Sequence, residues 1–215
     1  ATGLAVRGGP VTASGGVEQT LFRARWATRG VGDEVFIPAP YGGSYPDFVN
    51  FAGGKPVFIE AGAEQGYKIT PEQQEAAITP KTKWVLLNSP ANPSGAAYSA
   101  DELKALGAVI LPHEQVMVMT DDMYEHIWYA DFPFATIAQV CPELFDRTLT
   151  VNGVSKAYAM TGWRIGYAGG PEWLIKAMAK LQSQSTSNPC SISQAAAAAA
   201  PDGPQDFPAL PLTPT

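Results

Sequence analysis

The sequence predicts an α/β fold: a mainly parallel sheet with helices on both faces. Three observations carry this expectation. Several short apolar runs end in Gly, Pro, Asn or Asp; helix-prone stretches lie between several of them; and polar residues gather just after the runs. Each run is short enough and apolar enough to be a buried strand.

Taken in order, the first strand is expected over Glu34 to Pro38, followed by a helix-prone stretch from Gly43 to Ala52. Pro56 to Glu60 is the second strand. Pro71 to Ala77 reads as a helix because Pro71 falls at a first helical position after Thr70. Trp84 to Asn88 is the third strand. Ser99 to Ala108 reads as a helix, and Ser99-Ala100-Asp101-Glu102 has the form of a capping box. Val116 to Thr120 and Thr148 to Asn152 complete the strand set. Pro171 to Gln182 carries Trp173, Ile175, Ala177, Met178 and Leu181 at helical spacing. Residues 183–194 are Ser-rich and contain Asn188-Pro189, so a loop is expected to lead into Ser191. Ala195 to Ala200 favours helix, with Pro201 as its breaker. Residues 11–200 are read as one domain and 201–215 as a Pro-rich tail with no amphipathic period.

The chain has 215 residues, 46% hydrophobic and 16% charged, enough for a sizeable core. The net charge is −6 and no basic stripe is present, which argues against nucleic acid as a partner. No apolar run reaches membrane-spanning length. Ala1 to Pro10 lacks the basic start and apolar block of a secretory signal. Cys141 and Cys190 lack metal or redox spacing, so the expectation is reduced thiols in a cytoplasmic protein, with no metal. The first residue is not Met, which suggests a piece of something longer.

The most informative stretch comes after the Thr148 strand. Lys156 and Arg164 stand eight residues apart, in a run that continues Ile165-Gly166-Tyr167. An amine there can form a Schiff base with a carbonyl cofactor, and a guanidinium can hold a phosphate through two parallel hydrogen bonds. Pyridoxal phosphate needs both. The plainer alternative is an ion pair or two surface charges. Other strand ends add weight. Asn88 to Gly95 includes Asn92, and Asp121-Asp122-Met123-Tyr124 comes directly after the Val116 strand. A carboxylate against a pyridine nitrogen turns the ring into an electron sink. Asp121 or Asp122 can serve, and because strand neighbours point opposite ways only one of them faces the ring. Tyr124 and Asn92 can each donate to the ring's phenolic oxygen. The plainer roles are a turn residue for Asn92 and a helix cap for either aspartate.

With these residues in place the chain resembles the fold-type I, class I aminotransferases, most closely the aspartate aminotransferase group. The motifs are Gly32-Asp33-Glu34-Val35, Pro38-Ala39-Pro40-Tyr41 with Ser44-Tyr45-Pro46, and Asn88 to Gly95. They continue with Asp121 to His126, Ser155 to Tyr167 and Ser187 to Gln194, in matching order over about residues 11–200. The resemblance implies pyridoxal 5'-phosphate as cofactor and Lys156 as the Schiff-base lysine and proton shuttle. It makes Asp121 the pyridine-nitrogen partner, Tyr124 and Asn92 the partners of the phenolic oxygen, and Arg164 a phosphate ligand. The turn around Gly15, Gly16 and Val17, near a helix start, offers backbone N–H groups to the phosphate. The implied activity is amino-group transfer between an L-amino acid, with aspartate first, and a 2-oxo acid, by a homodimer.

The sequence departs from the family pattern in four places. Gly42 stands where the family usually has an aromatic residue stacked on the cofactor ring. Glu18 stands where the group often carries a Lys beside the phosphate. The sequence after Ala200 has no counterpart of the carboxy-terminal part, which builds the small domain and supplies the arginine for the substrate α-carboxylate. The amino-terminal part of the small domain is missing or scrambled before residue 11. The expectation is therefore a large domain with the small domain largely missing, from a partial or frame-disrupted copy whose turnover is in doubt. The competing expectations are a pyridoxal-phosphate-dependent β-lyase, and a non-catalytic binding module that keeps the fold.

Overall fold

Five of the apolar runs lie side by side and point the same way, and they fix everything else. In the computed structural model, which describes residues 10–28 and 30–205, the strands are β1 (Val11–Ser14), β2 (Glu34–Ala39), β3 (Lys55–Glu60), β4 (Thr82–Asn88), β5 (Met117–Asp121), β6 (Thr148–Gly153) and β7 (Gly166–Gly169). They form one sheet in the order β1-β7-β6-β5-β4-β2-β3. The stretch from β3 to β6 is parallel. Strand β7 runs antiparallel between β6 and β1. The predicted fold class holds.

The helices are α1 (Val17–Ala27), α2 (Tyr45–Phe51), α3 (Pro71–Ala77), α4 (Ala100–Ile110), α5 (Ile137–Val140), α6 (Glu172–Ser183) and α7 (Ser191–Asp202). Parallel strands need crossovers, and helices provide them on both faces. Strand β4 shows the division. Trp84 and Leu86 pack into a core with Leu21 of α1, Val49 of α2 and Met178 of α6. Val85 and Leu87 face the opposite core, with Leu106 and Ile110 of α4 and Ile137 of α5. The expected first helical position of Pro71 and the expected capping box of α4 both hold. Thr70 and Gln73 cap α3 reciprocally, and Ser99 and Glu102 do the same for α4.

Hydrophobic patterning alone missed α1, β1, α5 and β7. Helix α1 buries Arg23 and Arg25 beside Leu21 and Ala24, so its inward face does not read as apolar. Arg23 donates to the Met178 carbonyl at 3.4 Å and to Gln182, and Arg25 lies 3.8 Å from Asp33. Strands β1 and β7 are four residues each, and β7 is Gly-Tyr-Ala-Gly, too short and too poor in large apolar residues to stand out. The expected break at Pro201 is corrected: α7 begins at Ser191 and continues through Pro201 to Asp202. Pro201 sits in the final turn, so it removes one backbone donor where the helix is ending anyway. The Pro-rich tail lies outside the described residues from 206 to 215. No helix among the described residues is long and apolar enough to cross a membrane.

Leu86 and Leu87 are each 1% exposed on opposite faces of a central strand. Leu86→Ala and Leu87→Ala are each expected to lower unfolding free energy by about 2–5 kcal/mol in urea denaturation. A loss below about 1 kcal/mol at either position would contradict a two-faced core.

Candidate functional site

Strand β4 ends on Asn88 and β5 on Asp121, and the two residues are paired across the ladder. Asp121 in turn pairs with Val151 of β6. Because these strands share direction, the loops after them meet at the carboxyl edge of the sheet, where open α/β sheets bind ligands. Asn92, Asp121, Tyr124, Lys156, Arg164 and Val17 all line one cavity there, with Glu18, Gly42 and Tyr45 on the same wall. Gly16 is the remaining residue singled out from the sequence. It touches the site through Arg164, since a Cβ at Gly16 would collide with the guanidinium. Its φ of 121° also calls for glycine.

The alternation along β5 separates the two aspartates. Asp121 faces the cavity, where the Tyr45 hydroxyl donates to its Oδ2 at 2.8 Å and the Met123 N–H donates to its Oδ1 at 3.2 Å. Burial pushes the Asp121 carboxyl up to about 6, those two hydrogen bonds pull against it, and the Glu18 charge adds to the rise. Asp122 does not line the cavity. The Thr120 hydroxyl donates to its Oδ1 at 2.6 Å, and its Oδ2 is buried without a hydrogen-bond partner among the described residues. Burial pushes this carboxyl up to about 7.

The other groups are held by their own backbone. Asn88 donates from Nδ2 to the Asp121 carbonyl at 2.8 Å and accepts from the Asn92 N–H at 2.8 Å, which pins the Asn92 loop to the strand end. Burial raises the Tyr124 hydroxyl above the usual phenol range, with Asp121 and Glu18 adding, so it is a proton donor at neutral pH. Lys156 Nζ lies 5.9 Å from the centre of the Tyr124 ring. Arg164 adopts a left-handed backbone (φ 53°), and its Nη1 donates to the Thr161 carbonyl at 3.0 Å. Its Nη2 lies 3.5 Å from Glu18 Oε2. Pairing of Ser14 with Gly166 brings the start of α1 to this end of the cavity. The arrangement presents an amine, a buried carboxylate and two neutral donors. A guanidinium beside a helix start completes it. Such a set can hold a carbonyl at one end and an anion at the other.

The family model described as aminotransferase class I and II matches residues 6–209. The chain belongs to that family. It is 61% identical over 205 residues to the aspartate/prephenate aminotransferase of Cereibacter sphaeroides, covering 95% of this chain and 51% of that protein. It is 60% identical over 205 residues to the aspartate aminotransferase of Rhizobium meliloti, covering 95% and 50%. Among solved structures, the aspartate aminotransferase from Rhizobium meliloti superposes with a TM-score of 0.90 at 61% identity, over 92% of this chain and 49% of that one. The Thermus thermophilus aspartate aminotransferase with maleate superposes at 0.81 and 45% identity, over 86% and 47%. The chain spans about half the length of the curated relatives it matches.

Within this aminotransferase frame the sequence reading overlooked Tyr45. It belonged to the Ser44-Tyr45-Pro46 motif but had no role. The available signal was a hydroxyl-bearing aromatic on the first turn of the helix after β2. Gly42 is on the cavity wall as expected, and a Cβ there would meet the Tyr45 ring at an ordinary 3.6 Å.

The two carboxylates give two testable outcomes. In Tyr45→Phe the Asp121 carboxyl loses its strongest donor, and its titration midpoint, read by carbon NMR of labelled aspartate, should rise by about one pH unit from its parent value near 6. An unchanged midpoint would remove Tyr45 from the account. For Asp122 the folded-state value, about 7, lies above the ordinary 3.8. The folded chain therefore holds this proton more tightly, so stability falls as pH rises from 4 to 7 and the penalty is complete above 7. Asp122→Asn should be more stable than the parent by about 1–3 kcal/mol at pH 8, with the gap closing near pH 4 in urea melts. A pH-independent gap would show that burial of charge is not its source.

Proposed function

We propose that this chain is the cofactor-binding part of a pyridoxal-phosphate-dependent aminotransferase that acts on an L-amino acid, with aspartate first, and a 2-oxo acid. One observation carries the reading: Lys156, Asp121, Tyr124, Asn92 and Arg164 line a single cavity at the carboxyl edge of the sheet. The names of the relatives support the donor assignment. Residues 11–200 make up this cofactor-binding unit, in a cytoplasmic homodimer with a biosynthetic role.

The donor set fits pyridoxal 5'-phosphate at its aldehyde, ring nitrogen and phenolic oxygen, and Arg164 stands at its phosphate end beside Glu18. When bound, the cofactor supplies an aldehyde that condenses with amines and a protonated ring that withdraws electrons. Lys156 would hold the aldehyde and, once freed by a substrate amine, move the substrate α-proton as a base. Asp121 must be ionised to keep a proton on the ring nitrogen, and the Tyr45 hydroxyl favours that ionised form. Tyr124 and Asn92 would donate to the phenolic oxygen. Arg164 and the Gly16-Val17 turn would hold the phosphate.

The test is a visible-absorbance titration of the chain with pyridoxal phosphate, with Lys156→Ala beside it. A new band in the parent that is absent in the variant, and a borohydride-stable adduct located at Lys156, are the expected results. No band from a chain shown by circular dichroism to be folded would sink the proposal. Aspartate with a 2-oxo acid acceptor then separates transfer from β-elimination, because only transfer consumes the acceptor.

A further inference from the structure

Glu18, from the first turn of α1, lines the cavity at the end where Arg164 stands, and Gln19 beside it caps the turn that leads into the helix. Glu18 Oε2 lies 3.5 Å from Arg164 Nη2. Independently, the Gly15 N–H donates to Gln19 Oε1 at 2.7 Å, and the amide of Gln19 donates to Thr186 at 3.1 Å. One side-chain donor and one backbone donor thus face oxygens supplied by the chain. Glu18 also acts on the rest of the site, since its charge contributes to the upward shifts of Asp121 and Tyr124.

We infer that Glu18 and Gln19 form an internal stand-in for a phosphate group, so that the site discriminates weakly between phosphorylated and unphosphorylated pyridoxal. This rests on the cofactor reading above and deepens it. A phosphate ester entering this end must separate Glu18 from Arg164 and then sit beside the displaced carboxylate, carrying about −1.5 to −2 charges of its own. Pyridoxal, which lacks the phosphate, leaves the pair and the Gln19 bond in place. Both Glu18 and Arg164 are more than half exposed, so the pair alone is worth little. The discrimination comes mainly from repulsion between the carboxylate and the incoming anion, and it is screened by salt.

The experiment measures affinity for pyridoxal 5'-phosphate and for pyridoxal in the intact chain and in Glu18→Gln. The readout is the visible band of the Lys156 condensation product, which forms with loss of one water. Comparing variant with parent for each aldehyde cancels their different behaviour in free solution. Glu18→Gln should bind the phosphate ester about three- to tenfold more tightly and pyridoxal unchanged, with the gain shrinking in about 1 M salt. Gln19→Ala, which frees the Gly15 N–H, should shift the same ratio in the same direction. Equal changes for both aldehydes, or no change in either variant, would overturn this inference and leave the Lys156 reading intact. No band with either aldehyde in the folded parent would overturn the cofactor reading and this inference together.

Discussion

The site depends on strands β4, β5 and β6 running the same way and ending together. Asn88 and Asp121 are paired, and Asp121 is paired with Val151. One residue of slippage would turn Asp121 away from the cavity and bring Asp122 in its place, because side chains alternate across the sheet. That exchange would replace a carboxylate held by Tyr45 and Met123 with one whose second oxygen has no hydrogen-bond partner among the described residues. The register is held by the two apolar cores, one on each face, that β4 joins. Packing of Leu86 and Leu87 thereby helps to set which aspartate faces the cavity.

Two adjacent buried carboxylates are an electrostatic burden, and the fold answers it unequally. Burial raises both. Asp121 receives two donors aimed at separate oxygens, which keeps its titration nearer the range where it is ionised at neutral pH. Asp122 receives the Thr120 hydroxyl at Oδ1, and the nearby Thr136 hydroxyl also favours its charged form. Tyr45 matters through Asp121 and is a positioning residue in this sense.

The parallel frame was legible because buried strands are written as contiguous Val, Leu, Ile and Phe, and the starts of α3 and α4 because Pro71 and the Ser99 capping box are local signals. The grouping of Asn92, Asp121, Tyr124 and Lys156 was legible because parallel strands deliver their trailing loops to one edge, whereas Gly16 and Val17 follow β1, which apolar patterning missed. The remainder was hidden for identifiable reasons. Helix α1 places two arginines on its buried face, which defeats a reading by apolar periodicity. Strand β7 is half glycine because Gly166 packs directly on the backbone of Gly16 and Val17, leaving no room for a side chain. The Tyr45–Asp121 bond spans 76 residues, and no local pattern announces a contact of that range.

Strand β7 has a further consequence. It returns against the direction of the sheet and pairs with β1, so the cavity's anion end is stitched from two segments far apart in the chain, Ser14 to Glu18 and Arg164 to Gly166. Closing so long a loop carries an entropic toll that local contacts cannot offset early in folding. A molecule that bridges Arg164 and the start of α1 also clasps this outer hem of the sheet, and its binding free energy adds to the strength of the β1–β7 seam. Ligand occupancy and integrity of the sheet's edge are, in this architecture, one linked equilibrium.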